Sequence, residues 1–342
     1  MRCRWSLIAS LIALFAFQGA HAEDAGRYGV VTKGTDWVYT RLGNQTDVQT
    51  KTTFGILFEG GGTDVNEAYR WMCAHAGGGD FLVIRATGTA DYNPYILRLC
   101  PGINSVSTLK ITSRLGARQP FVQQTILKAE ALFIAGGDQA DYVRFYQQTP
   151  VSTAIDALAR RGVPVGGTSA GNAILAQFAF SALSNRTITS AQALRNPFDF
   201  RITLDNSFLF LSPLLADTIT DDHFVTRDRM GRLVTFLGRI AHDHAGRRPH
   251  GIALDENTAF LMEANGKGTV VGSSTVYFLR TPGRPEICKP GTPLTFRDVE
   301  VYRIAKGGSF DVDAWAGTGG TAYDLSAVDG DLTSTQPGGS IY

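Results

Sequence analysis

Short apolar runs alternate with amphipathic stretches between residues 53 and about 166, and this pattern predicts an α/β sheet. Apolar runs predict strands at 54–58, 81–84, 105–111, 131–135 and 163–166. Apolar positions three and four residues apart predict helices at 65–75, 121–130, 142–147 and 153–161. Because strands and helices alternate, the pattern favours a doubly wound, mostly parallel sheet with helices on both faces.

The chain is less regular outside this stretch. Residues 23–52 are polar, and we expect an N-terminal extension that lies over the surface. Strand patterns return at 218–224, 251–254, 259–262, 269–271 and 275–279, with a helix pattern at 227–245. The organisation predicted is an α/β domain at 53–285 and a β-rich C-terminal tail at 286–342. Residues beyond about Asp324 are rich in Ser, Thr, Gly and Pro, and we expect them to be flexible.

The first 22 residues have the pattern of a secretory signal peptide. Arg2 and Arg4 precede an apolar run at 7–17, which is shorter than the roughly 20 residues that span a bilayer. Ala20-His21-Ala22 is a typical cleavage site. We therefore expect cleavage after Ala22, a secreted or periplasmic location, and no membrane attachment after processing.

Charge and cysteine content narrow the possible partners. The formal net charge is +1 and becomes −1 once Arg2 and Arg4 are removed, which leaves no electrostatic footprint for nucleic acid. Cys73, Cys100 and Cys288 remain, enough for one disulfide and one free thiol. Cys73 and Cys100 are the favoured pair because both lie in the first half, and three buried thiols are the alternative. No spacing of Cys or His predicts a metal site.

Residues 163–172 carry the first candidate chemistry. Gly167, Ser169 and Gly171 fit the G-x-S-x-G form of a nucleophile elbow, with a strand before it and a helix pattern at 173–180 after it. Such a turn lifts the serine hydroxyl beside backbone N–H groups that can stabilise an oxyanion. A Gly-rich loop with an N-capping serine is the competing interpretation.

A serine nucleophile needs a base, and His223 is the distinctive candidate. It ends a strand-like run and leads into a helix start, although a purely structural histidine remains an alternative. Arg227, Arg229 and Arg232 follow at close spacing. Arginine binds carboxylates with two hydrogen bonds, so this run predicts either a carboxylate clamp or a solvated helix face.

Four motifs in one order carry a family resemblance. They are Gly136-Gly137-Asp138-Gln139, the elbow, Asp221-Asp222-His223-Phe224 with the three arginines, and the segment 251–259. In type, order and spacing they resemble the cyanophycinase-like serine peptidases, a family that also contains aspartyl dipeptidase E. The resemblance implies a flavodoxin-like, doubly wound sheet similar to that of class I glutamine amidotransferases, with a serine in place of their cysteine.

The resemblance also implies roles for individual residues. Ser169 is implied as the nucleophile, His223 as the general base and Glu256 as the orienting acid, with Asp255 as the alternative acid. The backbone N–H groups of Gly137 and Ala170 are the implied oxyanion donors. The implied substrate pocket consists of Gln139, Asp221, Asp222, Arg227, Arg229 and Arg232. No metal or cofactor is implied, and a homodimer would match the family.

The implied reaction is hydrolysis next to aspartate. An exported member would release β-aspartyl-arginine dipeptides from cyanophycin, a poly-aspartate with arginine on each side chain. An aspartyl or isoaspartyl dipeptidase is one alternative, and a catalytically silent binding protein on the same fold is another. Asn172 and Asp222 depart from the residues common at these positions in the family.

Overall fold

A computed structural model gives the fold and describes residues 26–206 and 208–342. The predicted signal peptide at 1–22 lies outside these residues. Within them, one mixed sheet of 17 strands carries α-helices on its faces. The strands are β1 Val30–Gly34, β2 Trp37–Gly43, β3 Gly55–Glu59, β4 Asp80–Arg85, β5 Ser105–Ile111, β6 Ala131–Ile134, β7 Val165–Thr168, β8 Phe178–Phe180, β9 Leu204–Asn206, β10 Thr218–Asp221, β11 His250–Leu254, β12 Thr258–Glu263, β13 Lys267–Gly272, β14 Thr275–Arg280, β15 Phe296–Asp311, β16 Ala316–Val328 and β17 Asp331–Ser334. The helices are α1 Asn66–His75, α2 Tyr92–Leu99, α3 Pro120–Leu127, α4 Gln139–Tyr146, α5 Pro150–Arg160, α6 Ser190–Arg195 and α7 Met230–Asp243.

The parallel core of the sheet has the order β5-β4-β6-β7-β3. Counted from the first parallel strand this is 3-2-4-5-1, which differs from the flavodoxin-like order 2-1-3-4-5. The alternation of strands and helices revealed the parallel α/β character but not the lateral order, which depends on the crossovers. The α/β prediction is therefore confirmed, and the flavodoxin-like order is not observed.

Helices cover both faces of the parallel strands. Ile56 and Phe58 of β3 point into a core that includes residues of α3, α4 and α5. Leu57, between them, points into the opposite core with residues of α1 and α2. This alternation within one apolar run is the signature of a strand buried on both sides, and it explains why the strands read as continuous apolar segments.

The C-terminal residues continue the sheet. β15 pairs with β14 through Glu300–Ala305 and with β13 through Ser309–Asp311, and its pairing with β16 shifts register between Ile304 and Ser309. β16 and β17 follow, so the residues beyond about Asp324, which we expected to be flexible, include paired strands. The composition of this segment is polar because alternate residues of its strands face solvent, while Leu325 and Ala327 are fully buried.

Two further expectations are corrected. Residues 30–43 of the expected surface extension form the hairpin β1–β2, and β2 pairs with β5. Trp37 is buried and stacks on Phe121 with ring centroids 4.2 Å apart, which attaches this hairpin to the core. The helix expected at 173–180 is instead the end of a 3₁₀ turn followed by β8. Short apolar runs do not distinguish a buried helix from a buried strand.

Cys73 and Cys100 form a disulfide, as predicted, and Cys288 is a buried free thiol. The disulfide links α1 to the end of α2 on one face of the sheet. No helix among residues 26–206 and 208–342 is long and apolar enough to cross a bilayer.

The disulfide should contribute measurably to stability. It closes a loop with a sequence separation of 27, so replacing both cysteines with serine should lower the free energy of unfolding by about 3 kcal/mol. Denaturant unfolding of the oxidised protein and of the double variant tests this. Cys288→Ala is the control, and an equal loss in that variant would show that the cysteines act only by packing.

Candidate active site

The carboxyl ends of adjacent strands bring the predicted motifs together. β3 and β7 run parallel, with Glu59 opposite Thr168. The triglycine that follows β3 therefore lies beside Ser169, which follows β7. β6 is the next strand along, and it leads into Gly136 and Gly137. Three polar or glycine-rich loops thus share one edge of the sheet, where open α/β sheets bind ligands.

Ser169 occupies a sharp turn at the end of β7. It begins the 3₁₀ turn Ser169–Ile174 and has a φ of 50°, in the left-handed region that non-glycine residues rarely adopt. Gly171 lies so close to β6 that a Cβ there would sit 2.0 Å from the carbonyl oxygen of Ile134. The predicted elbow therefore has the expected strained serine and close glycine contact, but a 3₁₀ turn replaces the expected helix.

His223 faces Ser169 from the loop after β10. The two side chains meet with Ser169 Oγ 2.8 Å from His223 Nε2. His223 also has a left-handed φ of 44°, and its backbone N–H donates to the carbonyl of Gly60 at 2.8 Å. The imidazole packs on Gly61, where a Cβ would lie 2.4 Å from its Cε1. A glycine is therefore required at 61 for the histidine to reach the serine.

Glu256, rather than Asp255, contacts the histidine. Glu256 Oε1 lies 2.5 Å from His223 Nδ1, so Nδ1–H donates to the carboxylate and Nε2 is left to accept from Ser169. Asp255 Oδ1 instead accepts from the backbone N–H groups of Val225 and Thr226. Burial opposes the charge on Asp255, but hydrogen bonds from Thr226 and its neighbours outweigh burial and lower its pKa. Asp255 thus stabilises the loop that carries His223.

Two backbone N–H groups are expected to stabilise an oxyanion, and the loop that carries one of them lies beside the serine. A Cβ on Gly136 would lie 3.9 Å from Ser169 Oγ, which puts the loop containing Gly137 beside the nucleophile. The hydroxyl of Tyr142 donates to the carbonyl of Ala135 at 2.6 Å and supports this loop from α4. Ala170 is the second residue of its 3₁₀ turn, where N–H groups have no partner inside the turn.

Asn172 connects the elbow to the strand of the histidine. Its side-chain Nδ2 donates to the carbonyl of Asp221 at 3.3 Å, and its own carbonyl accepts from the hydroxyl of Thr220 at 2.6 Å. Asn172 is fully buried. The unusual residue at this position therefore joins the turn of Ser169 to β10.

Two of the three predicted arginines are already paired with the predicted aspartates. Arg232 binds both carboxylate oxygens of Asp221, and both side chains are buried. Arg229 donates to the carboxylate and the carbonyl of Asp222 at 2.8 Å each. Asp221 and Asp222 are not among the residues that line the adjacent cavity, although Asp222 Oδ1 lies 3.6 Å from His223 Nε2, and their contact with substrate stays a prediction. Their pairing with the arginines is expected, because buried arginines need carboxylate partners.

A cavity of about 400 Å³ contains the remaining predicted pocket residues. Arg227 is exposed there and makes no ion pair or side-chain hydrogen bond within the described chain, and Gln139 lines the same cavity. Arg186 lines the same cavity and is also exposed with no side-chain partner among the described residues. The sequence reading missed Arg186 because it lies in a loop far from the motifs. The full lining consists of Asp138, Gln139, Phe180, Ala182, Asn185, Arg186, Thr187, Ile188, Thr189, Arg227, Arg229 and Arg232.

A buried acid supports the triglycine loop. Glu59 is fully buried at the end of β3 and accepts from the backbone N–H of Val65 at 2.7 Å and from the hydroxyl of Tyr69 at 3.2 Å. On the other side of the loop, Asn257 Oδ1 accepts from the N–H of Thr63 at 2.6 Å. In the sequence, the feature that could have predicted this supporting role of Glu59 is its position directly before three glycines.

The chain is similar to known peptidases over this region. The model of peptidase family S51 matches residues 101–267. A cyanophycinase of Geminocystis herdmanii is 27% identical over 214 residues, which cover 60% of this chain and 71% of the relative. A cyanophycinase of Trichormus variabilis is 26% identical over 214 residues, 61% of this chain and 66% of the relative. The matched stretch is therefore about two thirds of the length of these relatives.

A solved structure shares the fold. The crystal structure of a peptidase from an acI-B1 actinobacterium aligns with a TM-score of 0.51 and 16% identity, covering 77% of this chain and 98% of that chain. At this identity the likeness shows the fold alone. Together with the family match and the cyanophycinase relatives, it confirms the resemblance to cyanophycinase-like peptidases of family S51. The protein is a serine-type peptidase hydrolase.

Glu59 should make stability depend on pH. Burial, followed by the nearby Asp64, raises its pKa to about 8 from a usual value of 4.5. Between these two values the unfolded chain loses a proton that the folded protein keeps, so the free energy of unfolding falls as pH rises. Below this window both states are protonated, and above it both are ionised.

Replacing Glu59 with glutamine should remove this dependence. Between pH 5 and pH 8, we expect the free energy of unfolding of Glu59→Gln to fall less steeply with pH than that of the unchanged protein. The difference in slope should be at most about 1.4 kcal/mol per pH unit, which corresponds to one proton. Denaturant unfolding at several pH values measures it, with Glu67→Gln on the exposed side of α1 as the control. A slope identical to that of the unchanged protein would mean that Glu59 is ionised in the fold.

Proposed function

We propose that this serine-type peptidase hydrolyses aspartyl bonds in cyanophycin and releases β-aspartyl-arginine dipeptides through an acyl-enzyme at Ser169. The observation that carries the proposal is a Ser169–His223–Glu256 relay beside a cavity with two unpaired arginines. Ser169 Oγ and His223 Nε2 are 2.8 Å apart, within reach for direct proton transfer. Neither an isolated elbow nor an isolated cavity would support the assignment.

The proposed reaction has two half-reactions. Ser169 Oγ attacks the scissile carbonyl while its proton passes to His223 Nε2, and Glu256 stabilises the resulting imidazolium through Nδ1–H. His223 then gives the proton to the leaving amine, and the C–N bond breaks. Water attacks the acyl-enzyme with His223 again as the base, which releases the acid product and restores the serine.

Backbone groups on two loops suit the developing negative charge. The loop of Gly137 lies beside Ser169 and Ala170 follows it in the chain, so their N–H groups are the proposed donors to the oxyanion. The strained φ of Ser169 keeps the hydroxyl clear of β7. Loss of one such donor typically costs 10²–10³ in kcat.

The charges of the cavity support an acidic substrate. Arg186 and Arg227 are exposed and unpaired, so they can bind aspartate carboxylates, whereas Arg229 and Arg232 are held by aspartates. Asp138 also lines the cavity and can attract the arginyl part of the substrate. The relatives named cyanophycinase favour a polymer with both charges over a simple acidic dipeptide.

Export is part of the proposal. The signal-peptide pattern at 1–22 predicts it, and the Cys73–Cys100 disulfide supports it because such bonds persist in oxidising compartments. An exported enzyme would digest polymer outside the cytoplasm. The homodimer implied by the family resemblance also stays a proposal.

The substrate assay compares polymer with dipeptides. We expect the processed protein to release soluble β-Asp-Arg from insoluble cyanophycin, and Ser169→Ala to release none while remaining folded. Mass spectrometry of the supernatant identifies the product. Turnover of aspartyl or isoaspartyl dipeptides without release from the polymer would replace the proposal with a dipeptidase, and equal release by Ser169→Ala would overturn the assigned nucleophile.

Substitutions of Arg227 and Arg232 should separate an effect on substrate binding from an effect on stability. Arg227→Gln should raise KM for acidic substrates about tenfold with little change in thermal stability, because its guanidinium has no partner to lose. Arg232→Ala should instead lower the free energy of unfolding by roughly 3–5 kcal/mol, since it removes the side chain that binds both carboxylate oxygens of the buried Asp221. Arg160→Gln, on α5 outside the cavity, is the control. An unchanged KM in Arg227→Gln would remove this residue from the pocket.

A further inference from the structure

A short segment links the catalytic histidine to the cavity. Residues 224–230 run from His223 to the first turn of α7 and include Arg227 and Arg229. The segment folds back on itself, with the N–H of Arg227 donating to the carbonyl of His223 at 3.0 Å. Asp228 has a left-handed φ of 48°. A strained segment of this kind keeps its shape only where surrounding contacts impose it.

Tyr342, more than a hundred residues away in the chain, supplies such contacts. Its hydroxyl accepts from the backbone N–H of Met230 and donates to Asp228 Oδ1, each at 2.9 Å. Its ring lies edge-on to Phe224 and Tyr277, with centroids 6.0 Å apart in both cases. One side chain therefore contacts three residues of the segment 224–230.

The Tyr342 hydroxyl supplies a hydrogen-bond partner that the start of α7 lacks. Met230 is the first residue of α7, and the first N–H groups of a helix have no partner inside the helix. Burial raises the pKa of Tyr342, so the hydroxyl keeps its proton and remains a donor to Asp228. An oxygen that both accepts and donates at this point joins the start of α7 to the strained residue before it.

The path of the chain brings Tyr342 to this place. After β17, the residues turn back over the sheet, where the hydroxyl of Tyr323 on β16 donates to the carbonyl of Ile341 at 3.0 Å. Ile341 and Tyr342 are partly buried against the core that contains α7. The last strands and the residues after them thus reach the segment beside the active site.

We infer that Tyr342 is a positioning residue, which orders the segment 224–230 and thereby presents Arg227 to the substrate cavity. It acts through this segment and does not itself line the cavity. Its effect should fall on substrate binding more than on the chemical step, because His223 has its own contacts to Gly60 and Glu256. The binding readout rests on the proposed function, whereas the ordering of the segment does not.

The test uses Tyr342→Phe, which keeps the ring and removes only the hydroxyl. The first measurement is amide hydrogen exchange of residues 224–230 in the free protein, and we expect exchange about tenfold faster than in the unchanged protein. Tyr302→Phe is the matched control, because the Tyr302 hydroxyl also accepts a backbone N–H, from Gly320, within the C-terminal strands. That variant should leave exchange in the segment unchanged.

The second measurement is kinetic. Tyr342→Phe should raise KM for the substrate that the protein turns over about fivefold with less than a twofold change in kcat. Combined with Arg227→Gln, its effect should be less than additive, since both changes act on the same contact. Unchanged exchange in the segment would overturn the inference whatever the substrate. Faster exchange with a KM that does not move would restrict Tyr342 to stability and contradict the positioning role.

Discussion

The contact between the His223 imidazole and the glycine loop after β3 joins the two parts of the sheet at the active site. β3 belongs to the parallel core, whereas β10 pairs with β8 and β11, and β11 pairs with β14. His223 bonds to Gly60 and packs on Gly61, and Glu256 packs on Gly62. A side chain at 61 would displace the ring, so the geometry of the relay depends on the absence of a Cβ there.

The buried charged side chains around this contact stabilise the local structure more than they bind substrate. Asp221 pairs with Arg232, Asp222 with Arg229, and Asp255 with the loop after His223. Pairs of this kind are costly to break because each leaves an uncompensated charge in the interior. The arginines that have no internal partner, Arg186 and Arg227, are the ones left for a ligand. Charge pairing therefore divides the arginines into two groups: those that stabilise the fold and those that are free to bind a ligand.

Much of the site could be predicted from sequence because its residues follow strand ends. Ser169 and Gly137 each come within three residues of the end of an apolar run, and parallel strands place such residues on one edge. The choice of Glu256 over Asp255 required the structure, since the two carboxylates are adjacent in sequence and differ only in the direction in which the backbone points each side chain. Arg186 and Tyr342 carried no local signal, because their contacts arise from loops and strands that pack far from them in sequence. The hairpin at 30–43 was overlooked because its outer strand β1 is exposed throughout.

The reactivity of Ser169 tests the central claim most directly. The processed protein would be treated with a serine-directed fluorophosphonate, and the adduct would be counted by intact mass and located by peptide mapping. The arrangement of Ser169, His223 and Glu256 predicts one adduct per chain, on Ser169, and a loss of labelling in His223→Ala. An adduct on another residue, or labelling of Ser169 that proceeds equally fast without His223, would contradict the account.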